Sequence, residues 1–129
     1  MEVMAQRSYW RTCGLALSLM IFVSWATPVA AQDAVRKFTV VNVLYEGSKM
    51  FLPSVLAVSQ GDTVSVTVIN NIPGDPPNHG FAIPAFDVET VVNHGEKKTV
   101  EFTADKAGIF DIRCQLHPAH VHGQLIVED

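Results

Sequence analysis

Thr63 to Ile69 reads TVSVTVI, a strict alternation that sends Val64, Val66 and Val68 to one side and Thr63, Ser65 and Thr67 to the other. A period of two is the mark of an extended strand with one buried face. The same period recurs along the chain. Lys37 to Leu44 alternates, Ser54 to Val58 and Phe81 to Ile83 are short apolar pieces, and Lys98 to Phe102 turns Val100 and Phe102 inward. Ile109 to Cys114 places Phe110 and Ile112 on one face, and Gln124 to Val127 closes the chain. Gly61-Asp62, His94-Gly95 and Lys106-Ala107-Gly108 mark reversals, and Asn70 to Asn78, NNIPGDPPN, is too rich in turn formers for the interior of any regular element. No segment of useful length has a helical period, apart from one turn near Pro84 to Val88. Short strands separated by turn signals predict an all-β antiparallel sandwich or barrel of about seven to eight strands.

The first thirty-one residues do not share this pattern. Arg7 and Arg11 give a basic start, and Cys13 to Ala26, CGLALSLMIFVSWA, is an apolar run short for a bilayer span. TPVAAQ follows, with Val29 and Ala31 as small residues before a cut. Residues 1–31 are therefore read as a signal peptide cleaved after Ala31, and residues 32–129 as one domain. No Arg-Arg pair is present, which favours the general secretory route. The expected location is the periplasm, with no stable membrane insertion after cleavage.

Cleavage changes the composition that matters. Cys13, Trp10 and Trp25 leave, so Cys114 becomes the sole thiol. Seven basic residues face twelve acidic ones, with no basic stripe, so neither nucleic acid nor anionic membrane is an expected partner. A lone Cys cannot close an internal disulfide, and an exported free thiol needs protection, of which metal ligation is one form.

CQLHPAHVHG, residues 114–123, places that thiol among three histidines. Cys114 ends the penultimate strand and Gly123 begins the last, so the stretch is a tight loop at one end of the sandwich. Sulfur at the strand end and the imidazole of His117 can turn to one point, because Pro118 bends the chain just afterwards. His120 or His122 can reach the same point from the returning limb. His79, at the start of NHGFAI, sits at another strand end and would tie the loop to the scaffold. Thiolate with imidazoles selects copper or zinc over calcium or magnesium, and two His, one Cys and a weaker axial ligand make up a mononuclear electron-transfer copper site. His94, before Gly95 in a charged hairpin, reads as a plain turn residue. Asp62, Asp75, Asp87 and Glu89 are scattered as on a solvated surface, and no Ser-His-Asp order or phosphate-cradling glycine loop is present.

The stretches Val58-Ser-Gln-Gly-Asp-Thr-Val64, Asn78-His-Gly-Phe-Ala-Ile83, Phe102-Thr-Ala-Asp-Lys-Ala-Gly-Ile-Phe110 and Cys114-Gln-Leu-His117-Pro, with Gly-Gln-Leu-Ile-Val127, resemble the cupredoxin superfamily over nearly the whole of residues 32–129. Within it, AFDVETVVNHGEKKTVEFTADKAGIFDIRCQLHP is most similar to the nitrosocyanin branch of red copper proteins. The resemblance implies a Greek-key sandwich, export and one copper per chain. His79 stands where nitrosocyanin has a Glu ligand and matches the usual first histidine of cupredoxins. Counting forward from Cys114 makes His122 the match to the last His ligand, and counting back from Gly123 makes it His120. His120 is preferred, because His122 would sit at the exposed lip of the last strand. Met50 is the only methionine after residue 31 and lies outside the loop, so the axial ligand is expected to be nitrogen.

Three functions follow in order of expectation. The first is a periplasmic electron carrier, with enzymatic activity left open, passing electrons to a redox partner protein through the solvent-side edge of His117. The second is a copper site that binds or processes a small molecule such as nitric oxide, as the nitrosocyanin resemblance suggests. The third is copper handling or delivery, which a Met-rich or His-rich tail would favour and this chain lacks. The motifs leave the redox partner and the oligomeric state open.

Overall fold

The alternating segments pair into two layers. The computed structural model describes residues 35–74 and 76–129, which belong to a compact unit spanning Ala31–Asp129. The signal-peptide reading of residues 1–31 falls outside the described residues. Among the described residues nine strands follow in order: β1 Val35–Tyr45, β2 Ser48–Leu52, β3 Val55–Ser59, β4 Thr63–Asn70, β5 Asn78–Ile83, β6 Val88–Asn93, β7 Lys97–Thr103, β8 Gly108–Ile112 and β9 Gly123–Glu128. One 3₁₀ turn, Pro84–Phe86, separates β5 from β6. Among the described residues no helix is long and apolar enough to cross a membrane.

One sheet has the order β2-β1-β4-β7 and the other β3-β9-β8. The β5-β6 hairpin joins the second layer through a bridge between Ala82 and Arg113, whose two backbone hydrogen bonds are 2.8 and 2.9 Å long. This is the all-β sandwich expected from the alternation, with two differences. β1 pairs with β4, and β3 with β9, in parallel, so the sandwich is mixed rather than antiparallel. Two strands also exceed the expected set, β2 and β6. β2 follows a two-residue reversal at Glu46-Gly47, both with positive φ, as a hairpin turn of this length requires. Glu-Gly lacks the Asn or Asp that advertises such a turn, and β2 turns only Phe51 fully into the core.

Val64, Val66 and Val68 of β4 are wholly buried, each contributing about 1.5–3 kcal/mol of apolar burial. They share one core with Val40, Phe51, Leu56, Phe81, Ile112, Leu125 and Val127. Asp62 corrects the expectation of a solvated carboxylate. It is buried, accepts the Ser59 N–H at 3.0 Å and pairs with Arg36 at 2.9 Å, which closes the β3–β4 turn. Asp87 and Glu89 are exposed, and Asp75 lies outside the described residues.

The candidate metal centre

Each side chain of the centre is held by a different device. β5 is buried on both faces, so His79 is carried inward beside Phe81 and Ile83 on the same side of the strand. The turn-rich loop before it is fixed by Asn70, whose amide donates to the Pro77 and Val92 carbonyls at 3.0 Å and accepts the Ile72 N–H at 3.0 Å. Cys114 follows the Arg113 bridge, just past the end of β8. The returning limb is pinned twice, by Val121 N–H to the Lys49 carbonyl at 2.8 Å and by Gln124 N–H to the Ser54 carbonyl at 2.7 Å. Gly123 permits this approach, since a Cβ there would lie 2.6 Å from the Ser54 oxygen.

These devices bring His79, Cys114 and His117 together, with one donor atom of each within 4.8 Å of the others. Cys114 Sγ lies 3.5 Å from His117 Nδ1, and the His79 and His117 rings are 4.6 Å apart. His79 and Cys114 are buried and His117 is half-buried. The sulfur also accepts the Gly80 N–H at 3.1 Å. That contact was not foreseen, because a backbone donor leaves no mark in a sequence beyond its place next to His79.

His120 and His122 are placed apart. His120 is buried, its ring 4.3 Å from Phe51 and 6.0 Å from His79, and its Nδ1 donates to the Val121 carbonyl at 3.0 Å. That bond leaves Nε2 as the lone-pair nitrogen, and Nε2 is buried without a partner. His122 is half-exposed, with Nδ1 3.8 Å from the Asp111 carboxylate. His94 is exposed on its turn. Met50 follows the inward Lys49 position on β2 and alternates away from Phe51, on the opposite face of the strand.

Burial lowers His79 to about 4 from its usual 6.5, helped by the charges of His117 and Lys49. Burial lowers His120 as well, against the opposing pull of its bond to Val121. Both imidazoles are therefore neutral at pH 7 and have a lone pair to offer. His79 Nδ1 is a buried nitrogen without a hydrogen-bond partner, beside a thiol and a second imidazole. An orphaned buried acceptor is costly, and metal ligation is the use that fits this donor set. The residues present thus fit a soft or borderline cation.

The comparisons with known proteins bear on the fold and the family. The chain is 36% identical over 75 residues to nitrous-oxide reductase of Ralstonia nicotianae, a stretch covering 55% of this chain and 12% of that protein. It thus spans about an eighth of the length of that curated relative. Among solved structures it resembles the copper nitrite reductase of Nitrosomonas europaea, with a TM-score of 0.62 and 25% identity over 73% of this chain and 41% of that one. It also resembles dithionite-reduced auracyanin from Roseiflexus castenholzii, with a TM-score of 0.60 and 18% identity over 74% of this chain and 99% of that one, a likeness of fold alone. The model of the cupredoxin-like domain matches residues 14–127, and the chain belongs to that family.

Proposed function

We propose that this chain is an exported mononuclear copper protein that carries electrons, with one copper held by His79, Cys114 and His117 and His120 as the fourth donor. The observation that carries the reading is the His79–Cys114–His117 cluster, whose buried His79 nitrogen has no other partner. One thiolate with imidazoles is a copper donor set, and copper would supply a one-electron couple there. The protein's own part is to hold these donors still. The Arg113 bridge, the Asn70 clasp and the Val121 and Gln124 anchors fix the two limbs, and Phe51 packs on the His120 ring and edge-on to Phe81. Gly80 N–H spreads the charge on sulfur. His117 is the outermost of the three donors, and exposed Leu116 and Val121 flank its loop with apolar surface that suits a redox partner protein. Similarity to domains of nitrous-oxide reductase and copper nitrite reductase supports a redox role without naming a substrate.

A second reading, a small-molecule site of the nitrosocyanin kind, is favoured by one observation. A cavity of about 460 Å³ opens beside Cys114, lined by Arg113, Gln115, Pro118 and His122. Visible and electron-paramagnetic spectra of the copper-loaded protein separate the two. The carrier shows a sulfur-to-copper band that added nitric oxide leaves alone, and the small-molecule site shows one that nitric oxide changes. Cys114→Ser is expected to abolish the band and lower copper stoichiometry from one per chain. An unchanged band in that variant would sink both readings.

A further inference from the structure

Arg113, Cys114 and Gln115 meet the β5-β6 hairpin at three successive points. Arg113 is bonded to Ala82, Cys114 Sγ accepts the Gly80 N–H, and Gln115 sends its side chain back across the outer face of β5. There its Nε2 donates to the Thr90 carbonyl at 3.1 Å. The amide fills the space that a Cβ on Gly80 would occupy, so glycine is what lets it lie there. Its Oε1 is buried with no hydrogen-bond partner. A buried acceptor without a partner is costly and asks for a reason.

The adjoining ladder shows what this side chain braces. His94 N–H donates to the Pro77 carbonyl at 2.7 Å, and bonded pairs alternate along an antiparallel hairpin, so the Gly80 N–H points away from β6. Its partner is the sulfur, and its aim depends on what holds the Gly80 backbone from outside. We infer that Gln115 is a positioning residue: clamped between Gly80 and the Thr90 carbonyl, it fixes the Gly80 N–H on Cys114 Sγ and so raises the reduction potential of the metal bound there. The inference rests on the copper reading above. A hydrogen bond to sulfur reduces the charge it donates, which favours the less positive metal state. Gln115 also walls the cavity beside Cys114, so its loss admits water to this side of the sulfur.

The test compares Gln115→Ala and Gln115→Glu with the unaltered protein in two states. With copper bound, both variants are expected to keep one copper per chain while the midpoint potential falls. The fall corresponds to up to about a tenfold shift towards the oxidised form, ~59 mV for one electron. In the metal-free protein the Gly80 amide is expected to exchange its hydrogen about tenfold faster, while the Ala82 amide, bonded to Arg113, keeps its rate. Glu fills the same volume but has no donor for the Thr90 carbonyl, so a Glu variant that behaves as the unaltered protein overturns the clamp. An unchanged potential, or unchanged Gly80 exchange, in both variants overturns it as well. A protein that takes up no copper refutes the proposed function instead, and Gly80 exchange alone then decides the clamp.

Discussion

His120 and His122 stand two positions apart in one loop and have opposite surroundings. His120 turns under the loop against Phe51 with a free buried nitrogen, and His122 turns outward to Asp111. With copper bound, a nitrogen donor from His120 would hold Cu(II) more strongly than a thioether would. The copper–thiolate bond would then be weaker, with absorption at shorter wavelength and a lower potential. His120→Met is therefore expected to shift the spectrum towards blue and raise the potential. His122→Met should change neither, as measured by absorption and voltammetry on the copper-loaded variants. A response confined to His122→Met would make His122 the fourth donor, and no response in either would leave a three-donor site.

At the scale of elements, the centre depends on how closely β9 approaches the β2–β3 connection. Gly123 has no room for a side chain, because the Ser54 carbonyl lies where a Cβ would sit and also accepts the Gln124 N–H. Gly123→Ala is expected to cost about 1–3 kcal/mol through this crowding. In a domain of this size each kcal/mol lowers the melting temperature by roughly 4–8 °C. Calorimetry of the metal-free variant checks it, and a melting temperature equal to the unaltered protein's would mean that β9 has slack. The strands themselves were legible wherever one face was uniformly apolar, as in β4. They were not where a strand turns a single residue inward, as β2 does with Phe51, or where the turn residue gives no warning, as at Glu46.

For the molecule as a whole, the buried imidazoles link stability to pH. His79 titrates at about 4 in the fold against 6.5 when solvated. Between those values the unfolded chain carries a proton here that the native state does not, so stability falls as pH drops through that window. The loss from His79 reaches about 3 kcal/mol by pH 4, and His120, lowered in the same direction, steepens it. Urea unfolding of the metal-free protein at pH 7, 5.5 and 4 reads this directly, and a flat profile would contradict neutral burial of His79. Maturation is tested separately by intact mass. Export predicts an N-terminus at Gln32, and a chain that begins before residue 26 would make the apolar run an anchor.

The sequence by itself determined the layer type and the class of the centre. Alternation is a local property, so Val64, Val66 and Val68 declared the buried face of β4 without any partner strand. The spacing of Cys114 and His117 on one tight loop likewise placed a sulfur and an imidazole together before any fold was known. Strand pairing was not local. Whether β1 runs parallel to β4 depends on which edge is free when the sheets close, and no residue of either strand encodes it. The restart of the last strand at Gly123 favoured His120 over His122, but what buries His120 is tertiary: Val121 is tied to Lys49, more than seventy positions earlier in the chain. The tertiary structure also decided the partner of Cys114 within β5. Gly80 looks like any strand glycine in sequence, and it becomes the donor to sulfur only because the Arg113–Ala82 bridge sets β5 beside the ligand loop.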